Sequence, residues 1–89
     1  MFGFFGGRGD GSILKQEDIS RDGKKYFVST ANTFDHGWET MVFARNENGE
    51  VDWADLYSDR YNTQEEAEIG HKSIISNFTT LRLSSSFDT

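Results

Sequence analysis

The chain has 89 residues, no cysteine, and 9 basic against 15 acidic side chains, for a net charge of −6. That length allows one domain, the missing cysteines exclude a disulfide framework or thiolate site, and the acidic balance argues against a sequence-independent grip on nucleic acid, which needs clustered Lys and Arg. No apolar run approaches the ~20 residues of a membrane helix; Met1–Gly7 is too short and too uncharged for a signal peptide, and Phe2 stands where N-myristoylation needs glycine. The expectation is a soluble, cytoplasmic protein without membrane segments, whose eight Phe, three Tyr and two Trp exceed what so small a core requires.

Met1–Ser12 mixes three phenylalanines with five glycines. Glycine at that density is costly to order, so the stretch reads equally as an arm that orders in a partner's groove or as a disordered terminus. Ile13–Ser20 reads as a first strand, Arg21-Asp22-Gly23-Lys24 as a tight hairpin turn, and Lys25–Asn32 as a second strand with high β propensity at Tyr26, Phe27 and Val28. Phe34-Asp35-His36-Gly37 turns the chain into Trp38–Arg45. That segment carries Trp38, Val42 and Ala44 on one alternating set and Met41 and Phe43 on the other, so it reads as an interior strand with both faces covered. Asn48-Gly49 signals another hairpin, and Val51–Tyr57 reads as a fourth strand, with Val51, Trp53 and Tyr57 on one side and Ala54 and Leu56 on the other. Thr63-Gln64-Glu65-Glu66 fits a capping box, opening a helix over Gln64–Phe78. Its apolar stripe is Ala67, His71, Ile74, Ile75 and Phe78, and Ile69 points away from that stripe. Thr79–Thr89 reads as a short added strand, a binding arm or disorder.

The fold class that follows is α+β: a small four-stranded, mostly antiparallel meander with one C-terminal helix packed on one face. Flexible arms flank it, at residues 1–12 and 79–89 around a domain at 13–78. The expected core is Tyr26 or Phe27, with Val28, Trp38, Met41, Phe43, Trp53, Leu56, Ala67, Ile74, Ile75 and Phe78.

Motifs with chemical content are absent. Arg21, Lys24 and Lys25 form the one basic cluster and read as solvated turn charge. His71 falls in the helix stripe, where a packed, hydrogen-bonded imidazole outweighs a ligand or base; His36 beside Asp35 reads as a solvated turn residue. Histidine spacing excludes the common transition-metal motifs, and Asp52, Asp55 and Asp59 are too loosely placed for a calcium loop. The glycines at 3, 6, 7, 9 and 11 lack the strand before and the Gly-Lys-Ser/Thr after that a phosphate loop needs. The expectation is no catalytic residue, no cofactor and no metal.

Two blocks, Thr33-Phe34-Asp35-x-Gly37-Trp38-Glu39-Thr40-Met41-Val42-Phe43 and Tyr61-x-Thr63-x-Glu65-Glu66-Ala67-x-x-Gly70-His71-x-x-Ile74, resemble as a pair a group of small tailed-bacteriophage and prophage proteins. The group carries no established activity, so the resemblance transfers no site residue; it implies a phage-like origin. The expected function is therefore a non-enzymatic structural or interaction protein, a minor component of a phage head, neck or tail. It would dock on a larger phage structural protein in several copies, without direct nucleic-acid or membrane contact. The expected partner-binding residues are Phe2, Phe4, Phe5, Ile69, Leu81, Leu83 and Phe87. The alternative is an acidic modulator of a host nucleic-acid-binding or defence protein, a role that suits small size and negative charge.

Overall fold

The structure is a computed structural model, and it describes residues 10–34 and 37–83. Four strands, β1 (Ile13–Arg21), β2 (Lys24–Thr33), β3 (Gly37–Arg45) and β4 (Val51–Tyr61), form one antiparallel sheet in the order β1-β2-β3-β4. The helix α1 (Gln64–Ser76) follows, and a short 3-10 turn at Phe78–Thr80 ends it. This is the α+β meander with one C-terminal helix.

Local chemistry explains the joints. At the first hairpin Asp22 and Gly23 both take positive φ, 55° and 79°, the pair a two-residue turn of this twist requires. The second hairpin is longer: Gly49, at φ 86°, donates its N–H to Asn46 O, while Asn46 Oδ1 accepts from the N–H of Asn48 and of Glu50. Thr63 Oγ1 accepts from the N–H of Glu66 at 3.1 Å, capping α1. Glu66 reaches back as a capping box demands, but one residue further than usual, to the N–H of Asn62 at 3.0 Å.

The core lies between α1 and one sheet face. Tyr26 and Val28 of β2, Val42 of β3, and Ile74 and Phe78 from the helix side form its buried cluster, with Ala67 also buried. Ile19, Ala44, Leu56, Tyr57 and Ile75 pack around that cluster half-buried. Tyr26 rather than Phe27 turns inward. Gly70 lets the helix approach β4 closely, because a Cβ there would fall within the Tyr61 ring.

Three expectations are corrected. Trp53 is not core: it is 68 % exposed, because β4 is bulged. Val42 pairs with Tyr57 and Ala44 with Asp52, so Phe43 alone faces Trp53, Ala54, Asp55 and Leu56. The surplus residues reverse the alternation, leaving Tyr57 toward the helix and Trp53 on the opposite face. Trp38 and Met41 are half-buried rather than core, while Thr30 and Thr40, both polar, are fully buried. Arg21 is not a solvated turn charge. Its Nη1 donates to Phe78 O at 2.9 Å and Leu81 O at 2.7 Å, and its guanidinium lies over the Tyr26 and Phe78 rings. Lys24 and Lys25 do stand exposed.

Candidate interaction surface

The sheet face away from α1 carries Asp18 of β1, Phe27, Ser29 and Ala31 of β2, Glu39, Met41, Phe43 and Arg45 of β3, and Trp53 and Arg60 of β4, by strand register and ring contact. At the hairpin end three rings interlock. Trp53 meets Phe43 edge-on at 5.0 Å between centroids and Phe27 at 6.3 Å, while Phe27 and Phe43 lie 6.4 Å apart. These tilted and offset arrangements suit the aromatic quadrupole. Arg45 clamps the cluster: its guanidinium sits 4.9 Å from the Phe27 centroid, Nε donates to Asp18 Oδ1 at 3.0 Å, and Nη1 donates to Gly49 O at 2.6 Å. Toward the other end Arg60 Nε lies 3.8 Å from Glu39 Oε2.

A polar line runs through the helix-side core. His71, 3 % exposed, donates from Nε2–H to the Glu17 carboxylate at 2.7 Å. That leaves Nδ1 to accept from Thr30 Oγ1–H at 2.6 Å, and Thr30 in turn accepts from Thr40 Oγ1–H. Hydroxyl, imidazole and carboxylate in a row is the order of a nucleophile, base and orienting acid. Here, however, both threonines have no solvent access, so the arrangement ties the helix to β1, β2 and β3. Next to it Tyr61 Oη is sealed from solvent without a hydrogen bond of good geometry. Burial raises the Tyr61 pKa, and Thr40 offsets only part of the effect; burial and then Asp59 raise that of Tyr57.

A cavity of about 760 Å³ opens between the two hairpin turns, lined among others by Lys24, Lys25, Tyr26, Arg45 and Glu47. Glu17, Thr30, Thr40 and His71 do not line it. Among the described residues no group of three or more His, Asp and Glu is placed to hold a metal ion, and no helix is long and apolar enough to cross a membrane.

Of the residues expected to bind a partner, Ile69 stands 69 % exposed on the outer side of α1. Leu81 and Leu83 instead pack, half-buried, against the helix-side cluster, where the Arg21 clamp draws the chain after Phe78 back over the core. Phe2, Phe4, Phe5 and Phe87, with His36 and Asp35, lie outside the described residues. Sequence reading missed Trp53 as a surface residue; its signal was there in Asp52 and Asp55, which flank it and fit an outer strand better than a core one. The chain matches no protein-family model, no curated protein and no solved structure.

Proposed function

We propose that this chain is a non-enzymatic interaction protein that docks through the sheet face opposite its helix. Trp53 carries the reading. A tryptophan that is 68 % exposed yet held in place by Phe43 and Phe27 offers large contact area with little side-chain entropy left to lose. Such rings dominate binding energy at interfaces. Arg45 and Asp18 supply a polar rim beside it. Full burial of Thr30 and near-full burial of His71 support a structural rather than chemical role for this imidazole. Taken with the resemblance to small tailed-phage proteins, this reading makes the partner a larger protein of a phage particle. Repetition on a symmetric assembly would strengthen a modest contact through effective concentration. The acidic-modulator reading asks for a continuous anionic surface, and it is less well supported: Asp18 and Glu39 on this face each lie beside an arginine.

Trp53→Ala in the full chain tests the proposal. The ring contacts with Phe43 and Phe27 predict a loss of about 0.5–1.5 kcal/mol in folding stability, and its place as an anchor predicts a loss of about 2 kcal/mol or more in binding. The variant should melt somewhat below the parent, stay folded at assay temperature, and fail to co-sediment with assembled particles. Normal incorporation would overturn the proposal.

A further inference from the structure

We infer that the Glu17–His71–Thr30–Thr40 line continues to Tyr61 and forms a proton-sensitive element: one proton taken up on His71 Nδ1 reverses the hydroxyls, and Thr40 then donates to Tyr61 Oη where α1 meets β4. The element lies on the helix side of the sheet and does no chemistry on a ligand, so it is independent of the docking reading.

Its five groups come from all four strands and the helix, and the register sets them side by side. On the helix-facing side of β1, Lys15 pairs with Thr30 and Glu17 with Val28, which places Glu17 diagonally beside Thr30. Thr30 pairs directly with Thr40. Thr40 pairs with Asp59 and Trp38 with Tyr61, so Tyr61 stands two residues along β4 from the partner of Thr40, on the same face. The hydroxyl end of the Tyr61 ring lies against Gly70, the residue before His71. Thr40 is near enough to Oη to offset part of the rise that burial gives the phenol, yet Oη has no hydrogen bond of good geometry.

The protons along this line follow from what each group can donate. With a neutral ring, Nε2–H goes to the Glu17 carboxylate, which only accepts. Nδ1 is then a bare lone pair, so the Thr30 proton points to it and the Thr40 proton points to Thr30. A hydroxyl carries one proton, which leaves Thr40 none for Tyr61. An imidazolium has N–H at both nitrogens and no longer accepts. Thr30 becomes its acceptor, the Thr30 proton turns to Thr40, and the Thr40 proton turns to Tyr61 Oη. The net change is one proton taken from solvent and held on Nδ1; no bond between heavy atoms forms or breaks. The Glu17 side chain is 32 % exposed, so the line meets water at that end, whereas both threonines are fully buried. Other charges flank the site from outside: Lys15 on β1, Asp59 on β4, and Glu68 and Lys72 on α1 are all exposed. Beside the threonines, β2 and β3 present Val28, Asn32, Trp38 and Val42. Glu17 is thus the charge within hydrogen-bond reach of His71, and it stands where a cation on the ring needs a partner.

The test is an NMR titration of the labelled full chain from about pH 8 to about pH 5, the range in which imidazoles titrate, following the His71 ring nitrogens and the Tyr61 ring carbons. At the upper end His71 should be the Nε2–H tautomer. On acidification Nδ1 should gain its proton with the chain still folded, and the Tyr61 ring signals should shift with the same midpoint. Thr40→Val should keep the His71 titration and abolish the Tyr61 shift, while Thr40→Ser should keep both. Tyr61→Phe, which removes the last acceptor and serves even where Thr40→Val does not fold, should move the His71 midpoint to lower pH. An Nδ1–H tautomer at the upper end, a His71 that stays neutral until the chain unfolds, an unmoved Tyr61 ring, or an unmoved midpoint in Tyr61→Phe would overturn the inference. So would a Tyr61 shift that persists in Thr40→Val, which would make the coupling one of charge through space. Trp53→Ala, on the other face, should leave this titration unchanged, so either reading can fail alone.

Discussion

His71 illustrates how one polar side chain can be bound to a core without being its weak point. Each partner in the line is satisfied only while the next is present. Thr30→Val therefore leaves the His71 Nδ1 acceptor unpaired in a dry site, at a cost of about 1–3 kcal/mol. Replacing Thr30 and Thr40 by Val and His71 by Leu together removes both ends of every internal bond. Glu17 is then released to water, its side chain being already 32 % exposed. Denaturant titration is expected to show the single variant less stable than the triple. A silent Thr30→Val would mean the line contributes nothing. Tyr61 makes the complementary case, since its hydroxyl is buried without a good partner. Its folded pKa is raised above the ordinary value of 10.0, first by burial and then by Asp59 and Tyr57. The folded state thus holds the phenolic proton more tightly than the unfolded state does. This contribution is intact below the unfolded pKa and is lost as pH rises through the folded one. Stability should fall above about pH 10, and Tyr61→Phe should flatten that alkaline decline while costing little or nothing at neutral pH. An unchanged alkaline slope would count against the raised pKa.

The helix depends on a close approach as much as on its stripe. Ala67, His71 and Ile74 face inward at helical spacing, and Gly70 beside them is the notch into which the Tyr61 ring fits. In an exposed helix Gly→Ala would add about 1 kcal/mol of stability. Here the new methyl overlaps backbone-anchored ring atoms, and overpacking of this kind costs about 1–3 kcal/mol. Gly70→Ala should therefore lower the melting midpoint, and Gly70→Ala with Tyr61→Leu should recover much of it; a stabilising Gly70→Ala would show that the ring moves aside freely. Beyond the other end of α1, whose last turn holds no basic residue, Arg21 of β1 bonds the carbonyls of Phe78 and Leu81. One guanidinium thus ties β1 to the 3-10 turn and the chain that leaves it.

At the scale of the whole molecule the two sheet faces divide the work. One is closed by α1 over a cluster small enough for a single helix to cover. The other carries the ring cluster, with Trp53 at its rim and a buried carboxylate toward its far end. Among the described residues both outer strands, β1 and β4, are edges of the sheet, and each has a device that discourages pairing with another chain. β4 is bulged and bears Asp52, Asp55 and Asp59; β1 has an irregular register at its start and carries Lys15, Glu17 and Asp18. Under the proposed docking function, association is thereby steered from edge to face, where Trp53 stands exposed.

Features decided within a few residues were legible in the sequence. Asp22-Gly23 permits the left-handed pair a hairpin needs, Thr63 and Glu66 sit one helical turn apart, and Ala67, His71, Ile74, Ile75 and Phe78 recur with the helical period. The turn and the cap are present as read; the stripe faces the core, but the helix read as far as Phe78 ends at Ser76, Phe78 is buried from the 3-10 turn beyond it, and Ile75 is half-buried. The bulge in β4 was not legible, because alternation counted along one strand is blind to how many residues the partner strand opposes. Nor was the role of Arg21, whose acceptors lie 57 and 60 residues away; His71 is the packed, hydrogen-bonded imidazole its place in the stripe implies, but its two partners, 41 and 54 residues distant, were not legible. Turns and caps follow from torsional and hydrogen-bonding limits inside a single segment. Which face Trp53 takes, and what an imidazole or guanidinium meets, is set only when the sheet and helix close on one another, because those contacts exist only between segments distant along the chain.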